Sequence, residues 1–149
     1  MSTARSIAIA DAVVTALGIG EFSQSFTARR VYSIKGELDK LSALTVLVVP
    51  QGLDQEAADR GGCMRDIRIS VGVLKKLTAV GDDESVDHDE VDPLMLLVEE
   101  LADFGLLIRV TDPPAPCVSV ETPLLFNPDA LDEDRLFMSV LTYTFRVLH

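Results

Sequence analysis

The stretch from Val91 to Gly105 constrains this chain more than any other, because it reads as a helix with one apolar side that must be covered. Asp92 stands as the N-cap and Pro93 at the first helical position, where a missing N–H costs nothing. Val91 just outside and Leu96 inside can close a hydrophobic staple. Leu94, Leu97, Val98, Leu101 and Phe104 recur at helical spacing, with Glu99, Glu100 and Asp103 on the opposite face. Gly105 is placed to end the helix in a left-handed conformation. An amphipathic helix of this kind needs a partner layer.

The rest of the chain supplies that layer as strands. Leu44 to Val49 is a continuous apolar, β-branched run stopped by Pro50, as in a strand covered on both faces. Met64 to Leu77 alternates, with Ile67, Ile69, Val71 and Val73 facing one way and Arg68, Ser70 and Gly72 the other. The two runs pair as an antiparallel hairpin whose second strand is the longer, with Lys75 and Lys76 protecting an exposed edge. Gln51 to Gly62, between them, reads as a long polar loop.

Thr3 to Leu17 forms a second amphipathic helix, with Ile7, Ala10, Val13, Val14 and Leu17 on its stripe and Gly18 and Gly20 closing it. Arg29 to Lys35, Cys117 to Thr122 and Phe137 to Leu148 are the remaining strands. Gly81 to Glu90 is an acidic linker, and Pro113, Pro114 and Pro116 force an extended loop. Asn127-Pro128 begins a turn, and a helical turn fits Ala130 to Leu136. The expected architecture is α+β: a mixed, mainly antiparallel sheet of about five strands, two helices on one face and a projecting hairpin. Residues 1–149 form one domain, since nothing marks a second boundary.

Composition narrows the function classes. A formal net charge of -11 opposes phosphate binding, which clustered Lys and Arg drive. Yet 48% of the residues are hydrophobic, generous for a lone domain, and surplus apolar surface commonly ends in a subunit interface. No apolar run is long enough to span a membrane, and Asp11 interrupts what a secretory signal would need, so synthesis in the cytoplasm is expected.

The candidate chemical groups read as structural. Asp82, Asp83, Glu84, Asp87, His88, Asp89, Glu90 and Asp92 lack the ordered ligand spacing of a calcium loop, so a solvated linker is expected and no metal. Glu99, Glu100 and Asp103 are the wet face of a helix. Cys63 and Cys117 have no metal-ligand spacing. There is no phosphate loop and no nucleophile elbow, so no catalytic group and no cofactor is assigned. A Cys63–His88 pair, the basis of a small hydrolase, stands as an alternative from another class, as does a cytosolic adaptor.

Three segments together carry a resemblance. Phe22 to Ala28 reads FSQSFTA, Leu97 to Phe104 reads LVEELADF, and Ser139 to Val147 reads SVLTYTFRV. In this order, after an N-terminal helix and around an alternating strand, they resemble a family of small head–tail proteins of tailed bacteriophages, over nearly the whole chain. The resemblance implies a structural virion protein of the tail-terminator or tail-completion kind, with a head-completion or stopper protein of the neck as alternative. It implies a homohexameric ring that caps the tail tube protein, joins it to the head–tail connector protein, and lets DNA pass without specific binding or membrane contact. On that reading Asp54, Glu56, Asp59 and Arg60 are expected to line the lumen, with Arg60 as lone counter-charge. Ile67, Ile69, Val71 and Val73 are expected to carry the subunit-interface hairpin.

Overall fold

The computed structural model describes residues 4–34, 43–57, 62–77, 88–111, 114–129 and 136–148. The chain folds as α1 (Arg5–Ile19), β1 (Thr27–Arg30), β2 (Thr45–Ala57), β3 (Cys63–Lys76), α2 (His88–Gly105), β4 (Arg109–Thr111), β5 (Pro114–Leu124) and β6 (Leu136–Leu148). The strands make one six-stranded sheet in the order β1-β2-β3-β6-β5-β4. All neighbours are antiparallel except β1 and β2, which are parallel. The α+β class and the mainly antiparallel sheet are as the sequence indicates. The sixth strand is β4, only Arg109–Thr111, too short for periodicity to reveal.

Both helices cover one face of the sheet. Ile9, Ala10, Val13 and Leu17 of α1 and Leu94, Leu97, Val98 and Leu101 of α2 share a buried cluster with Val46, Val48, Ile67, Ile69, Val71, Val73, Phe137, Leu141, Tyr143, Phe145 and Val147. Period-2 strands and period-3.6 helices each deliver one apolar side to the same layer. On α1, Ile9 takes the buried place expected of Ile7, which is half-buried.

The opposite face has cover of its own at one end. Leu47, Leu74 and Leu136 are buried there against Val31, Ile34 and Met138. The strand Thr45–Val49 therefore finds apolar neighbours on both sides within this chain, without a second copy.

Several boundaries differ from expectation, each for a physical reason. The α2 helix begins at His88, so Asp92 is not its cap and Pro93 lies inside it. The proline forfeits only the bond to the Asp89 carbonyl near the start of the helix, and Asp89 and Glu90 in the first turn suit the helix dipole. Leu96 is half exposed and closes no staple.

Gly105 does end α2, but not in the left-handed region. Its missing side chain makes room instead: a Cβ there would sit 2.5 Å from the Tyr143 ring. That close approach lets the Tyr143 hydroxyl donate to the Leu101 carbonyl at 2.7 Å, a bond that ties the sheet to the C-terminal part of the helix and gives the buried hydroxyl its partner.

The β2 strand does not stop at Pro50. The Val31 N–H donates to the Val48 carbonyl at 2.9 Å, so Val48 turns its backbone toward β1. Pro50, two residues on, turns the same way, but β1 ends at Arg30 opposite Val48. The absent N–H thus costs no ladder bond, as on an edge strand. A bulge between Pro50 and Gly52 follows, and β2 continues to Ala57 beside β3.

With β2 extended, β3 outruns its partner only by Lys75 and Lys76. It is paired to β2 from Cys63 to Leu74 and to β6 from Met64 to Lys76, so it is a central strand. Lys75 and Lys76 stand beside Phe137 and Leu136 of β6 on one side and lie past the start of β2 on the other, so they flank two residues of open backbone and not a whole edge strand.

Candidate functional site

Beyond the Pro50–Gly52 bulge, the face of the sheet away from the helices is polar and open. The bulge shifts the alternation by one, so Asp54 comes opposite Asp66 of β3, and Asp66 in turn lies opposite Arg146 of β6. Like charges directly opposite are unfavourable on a sheet, and here each carboxylate has its own guanidinium. Arg146 holds Asp66 with two bonds, Nε to Oδ1 at 2.9 Å and Nη2 to Oδ2 at 3.2 Å. Arg68 pairs with Asp54.

Gly52 makes the second pair possible. A Cβ at Gly52 would collide with the Arg68 guanidinium, which lies across the bare backbone on its way to Asp54. Ser70 donates to the Gln51 side-chain carbonyl and so pins the bulge. Ser119, Glu121 and Thr144 complete the wall of an open concavity of about 360 Å³ with Asp54, Asp66, Arg68, Val118 and Arg146.

This arrangement offers a surface on which positive and negative groups quench each other locally. It presents carboxylates and guanidiniums already engaged with one another.

The residues expected to line a lumen are distributed differently from a loop. Asp54 is on β2 with Arg68 as its partner, so Arg60 is not the lone counter-charge. Glu56 is also on β2, opposite Met64. Asp59 and Arg60 lie outside the described residues. The stretch expected as a loop, Gln51 to Gly62, is strand as far as Ala57. Its polar composition reflects an edge strand with one wet face.

Ile67, Ile69, Val71 and Val73 are all buried beneath this chain's own helices. A neighbour would meet the hairpin through its edge or its open face, not through these side chains.

The remaining candidates fall elsewhere. Glu100 accepts from the Ser23 N–H at 3.1 Å and from the Ser23 hydroxyl, clamping the segment after α1 onto α2. Phe22 beside it packs on Phe26 and Phe104 at centroid distances of 5.4 Å and 5.1 Å. Glu99 and Asp103 are exposed. The Cys117 thiol is buried, and burial pushes its pKa up despite a contact with the Ser119 carbonyl, so the thiol form is favoured. Cys63 begins β3 and His88 begins α2, but the side chains that a Cys63–His88 pair would use lie outside the description. Of the acidic stretch, 81–87 lies outside the described residues, and His88–Glu90 is helical. So does 130–135, where a helical turn was expected.

Sequence reasoning did not single out Asp66, Arg68 and Arg146 as a set. Their places on the wet side of alternating strands were visible, but their meeting depends on β3 and β6 being neighbours. No helix among the described residues is long and apolar enough to cross a membrane. Neither a protein-family model nor a curated protein matches the chain.

Proposed function

We propose that this protein is a non-catalytic structural component of a tailed-phage virion, a ring of identical subunits at the neck that terminates the tail tube and joins it to the head connector. The observation that supports this reading best is the long half of the β2–β3 hairpin. Past Val48 the β1 strand is gone, and β2 runs on to Ala57 with no strand on its outer side among the described residues. An edge of that length is a ready surface for another chain. A contact between unlike surfaces of identical subunits closes into a ring when the rotation fits.

The open face adds a second support. A channel for DNA has to avoid gripping it, and a surface of engaged carboxylates and guanidiniums on a chain of net charge -11 meets that need. The tail tube protein and the connector protein are the partners on the two sides of such a ring, and DNA passes without specific binding.

Negative-stain imaging of the purified protein, with its mass in solution, tests the reading. Closed rings of several subunits are expected; a monomer at high micromolar concentration overturns it. Adding the protein to growing tail tubes then separates a terminator from a stopper. A terminator halts tube growth, whereas a stopper leaves the tube and binds the connector.

A further inference from the structure

The sheet has two outer strands at the hairpin end, and their backbones are complementary. One is β2 beyond the bulge. On β3 the residues that face β2 alternate, and Ser70 faces Val49, so Arg68 and Asp66 face Gly52 and Asp54. By the antiparallel alternation, Leu53 and Gln55 turn their N–H and C=O groups outward. The other outer strand is β4, paired with β5 through Arg109↔Pro116, Val110↔Ala115 and Thr111↔Pro114. Prolines have no N–H to give, so Val110↔Ala115 is the pair that exchanges two bonds. Arg109 and Thr111 then turn their backbone groups to the free side.

The two edges also agree in direction and level. The chain of antiparallel pairings makes β2, β6 and β4 run the same way. Leu53, Ile67, Phe145 and Cys117 lie in one row across the sheet. Continuing one residue along each strand brings Asp54 level with Arg109, and one more brings Gln55 level with Val110. In a parallel pair one residue bonds to the two that flank its opposite number. Gln55 can therefore donate its N–H to the Arg109 carbonyl and accept at its own carbonyl from the Thr111 N–H. Asp54 then faces Arg109, opposite charges on the exposed side of both strands.

We propose that β4 of one copy adds to the outer edge of β2 of the next, with Gln55 seated between Arg109 and Thr111 and Asp54 against Arg109. The occupant of the β2 edge is thus a second copy of this chain, and the contact is head-to-tail. The proposal rests on the ring reading above and names the strands that build the ring. Leu53, half exposed beside that edge, is covered when the neighbour arrives.

Engineered cysteines test it. Asp54→Cys and Arg109→Cys stand opposite each other in this pairing, so the double variant should form, under mild oxidation, a ladder of covalent oligomers ending at the ring's own subunit number. Each single variant, carrying the same native cysteines, should give no such ladder. A companion variant, Gln55→Pro, removes the outward N–H that the pairing gives to the Arg109 carbonyl while leaving the backbone bonds to β3, and should lose the ring without lowering the melting temperature by more than a few degrees. Rings in the microscope without a ladder in the double variant overturn this pairing and leave the ring reading standing. A protein that is monomeric by imaging and by mass overturns the ring reading, and the pairing with it.

Discussion

The two faces of the sheet are made by the same strands, alternate residue by alternate residue, and obey opposite chemistry. Toward the helices, Ile67, Ile69, Val71, Phe137, Leu141, Tyr143 and Phe145 are closed off from water. Away from them, beyond the bulge, Asp54, Asp66, Arg68 and Arg146 pair in the open. Hydrophobic burial scales with the area removed from water, about 25 cal/mol per Å², whereas exposed ion pairs add little because solvent screens them. The covered face should hold the fold together. The open face is free to be specified by what it meets.

That division can be broken most directly at Leu101, fully buried between α2 and the sheet. Leu101→Ala should cost about 2–5 kcal/mol, read as a lower urea midpoint at unchanged slope. An unaltered midpoint would mean that the helix contributes no more to stability than the open face does.

The next largest effect is expected where helix and sheet come closest. Gly105→Ala would put a methyl group 2.5 Å from the Tyr143 ring, and overpacking of that kind costs about 1–3 kcal/mol. Gly18→Ala, where nothing lies within 4 Å, is the control and should leave the melting temperature nearly as it was.

Alkali sharpens the comparison from another side. Burial raises the Tyr143 pKa well above its ordinary value of 10.0. The folded state therefore keeps the phenol proton that the unfolded chain gives up. Stability from this group is complete below about pH 10 and falls as pH rises toward the folded pKa, by up to about 1.4 kcal/mol per pH unit. In Tyr143→Phe the alkaline limb of the stability curve should be shallower, and the same slope in both proteins would contradict a sealed Tyr143.

The smallest effect belongs to the open face. Asp66→Asn breaks a pair whose side chains are 24% and 41% exposed, and should cost no more than about 1 kcal/mol, less in high salt. A loss as large as that of Leu101→Ala would erase the distinction between the faces.

The same contrast explains what could be read from the sequence. The covered face announces itself: alternation from Met64 to Leu77 and helical spacing from Leu94 to Phe104 are repeated physical constraints on neighbouring positions. Edges and open faces impose no such repetition. Pro50 looks like a terminator because a proline usually breaks a ladder, and only the end of β1 at Arg30 makes it harmless. Pro93 looks like a first helical residue for the same reason, though α2 tolerates it one turn further in. Asp54 could be noticed as an acidic residue in a polar stretch. Its partner Arg68 and the neighbouring Asp66–Arg146 pair could not, because they depend on which strands lie side by side. Arg109 to Thr111 gave no signal beyond three residues between a glycine-ended helix and a proline run.

The place of β6 carries a consequence for how the chain acquires its structure. β3 and β6 are partners along almost their whole length, yet α2, β4 and β5 come between them in the chain. The middle of the sheet is thus the product of a long-range encounter, which slows folding because loop closure is unfavourable until the contacts form. Until β6 arrives, the β2–β3 hairpin has one of its long sides bare and Ile67, Ile69 and Val71 have no Phe145, Tyr143 or Leu141 beside them. On a ribosome such a chain waits, and a nascent copy near another has a sticky side to offer. The strand that completes the core is made last among the described elements, so commitment to the native sheet comes late and all at once.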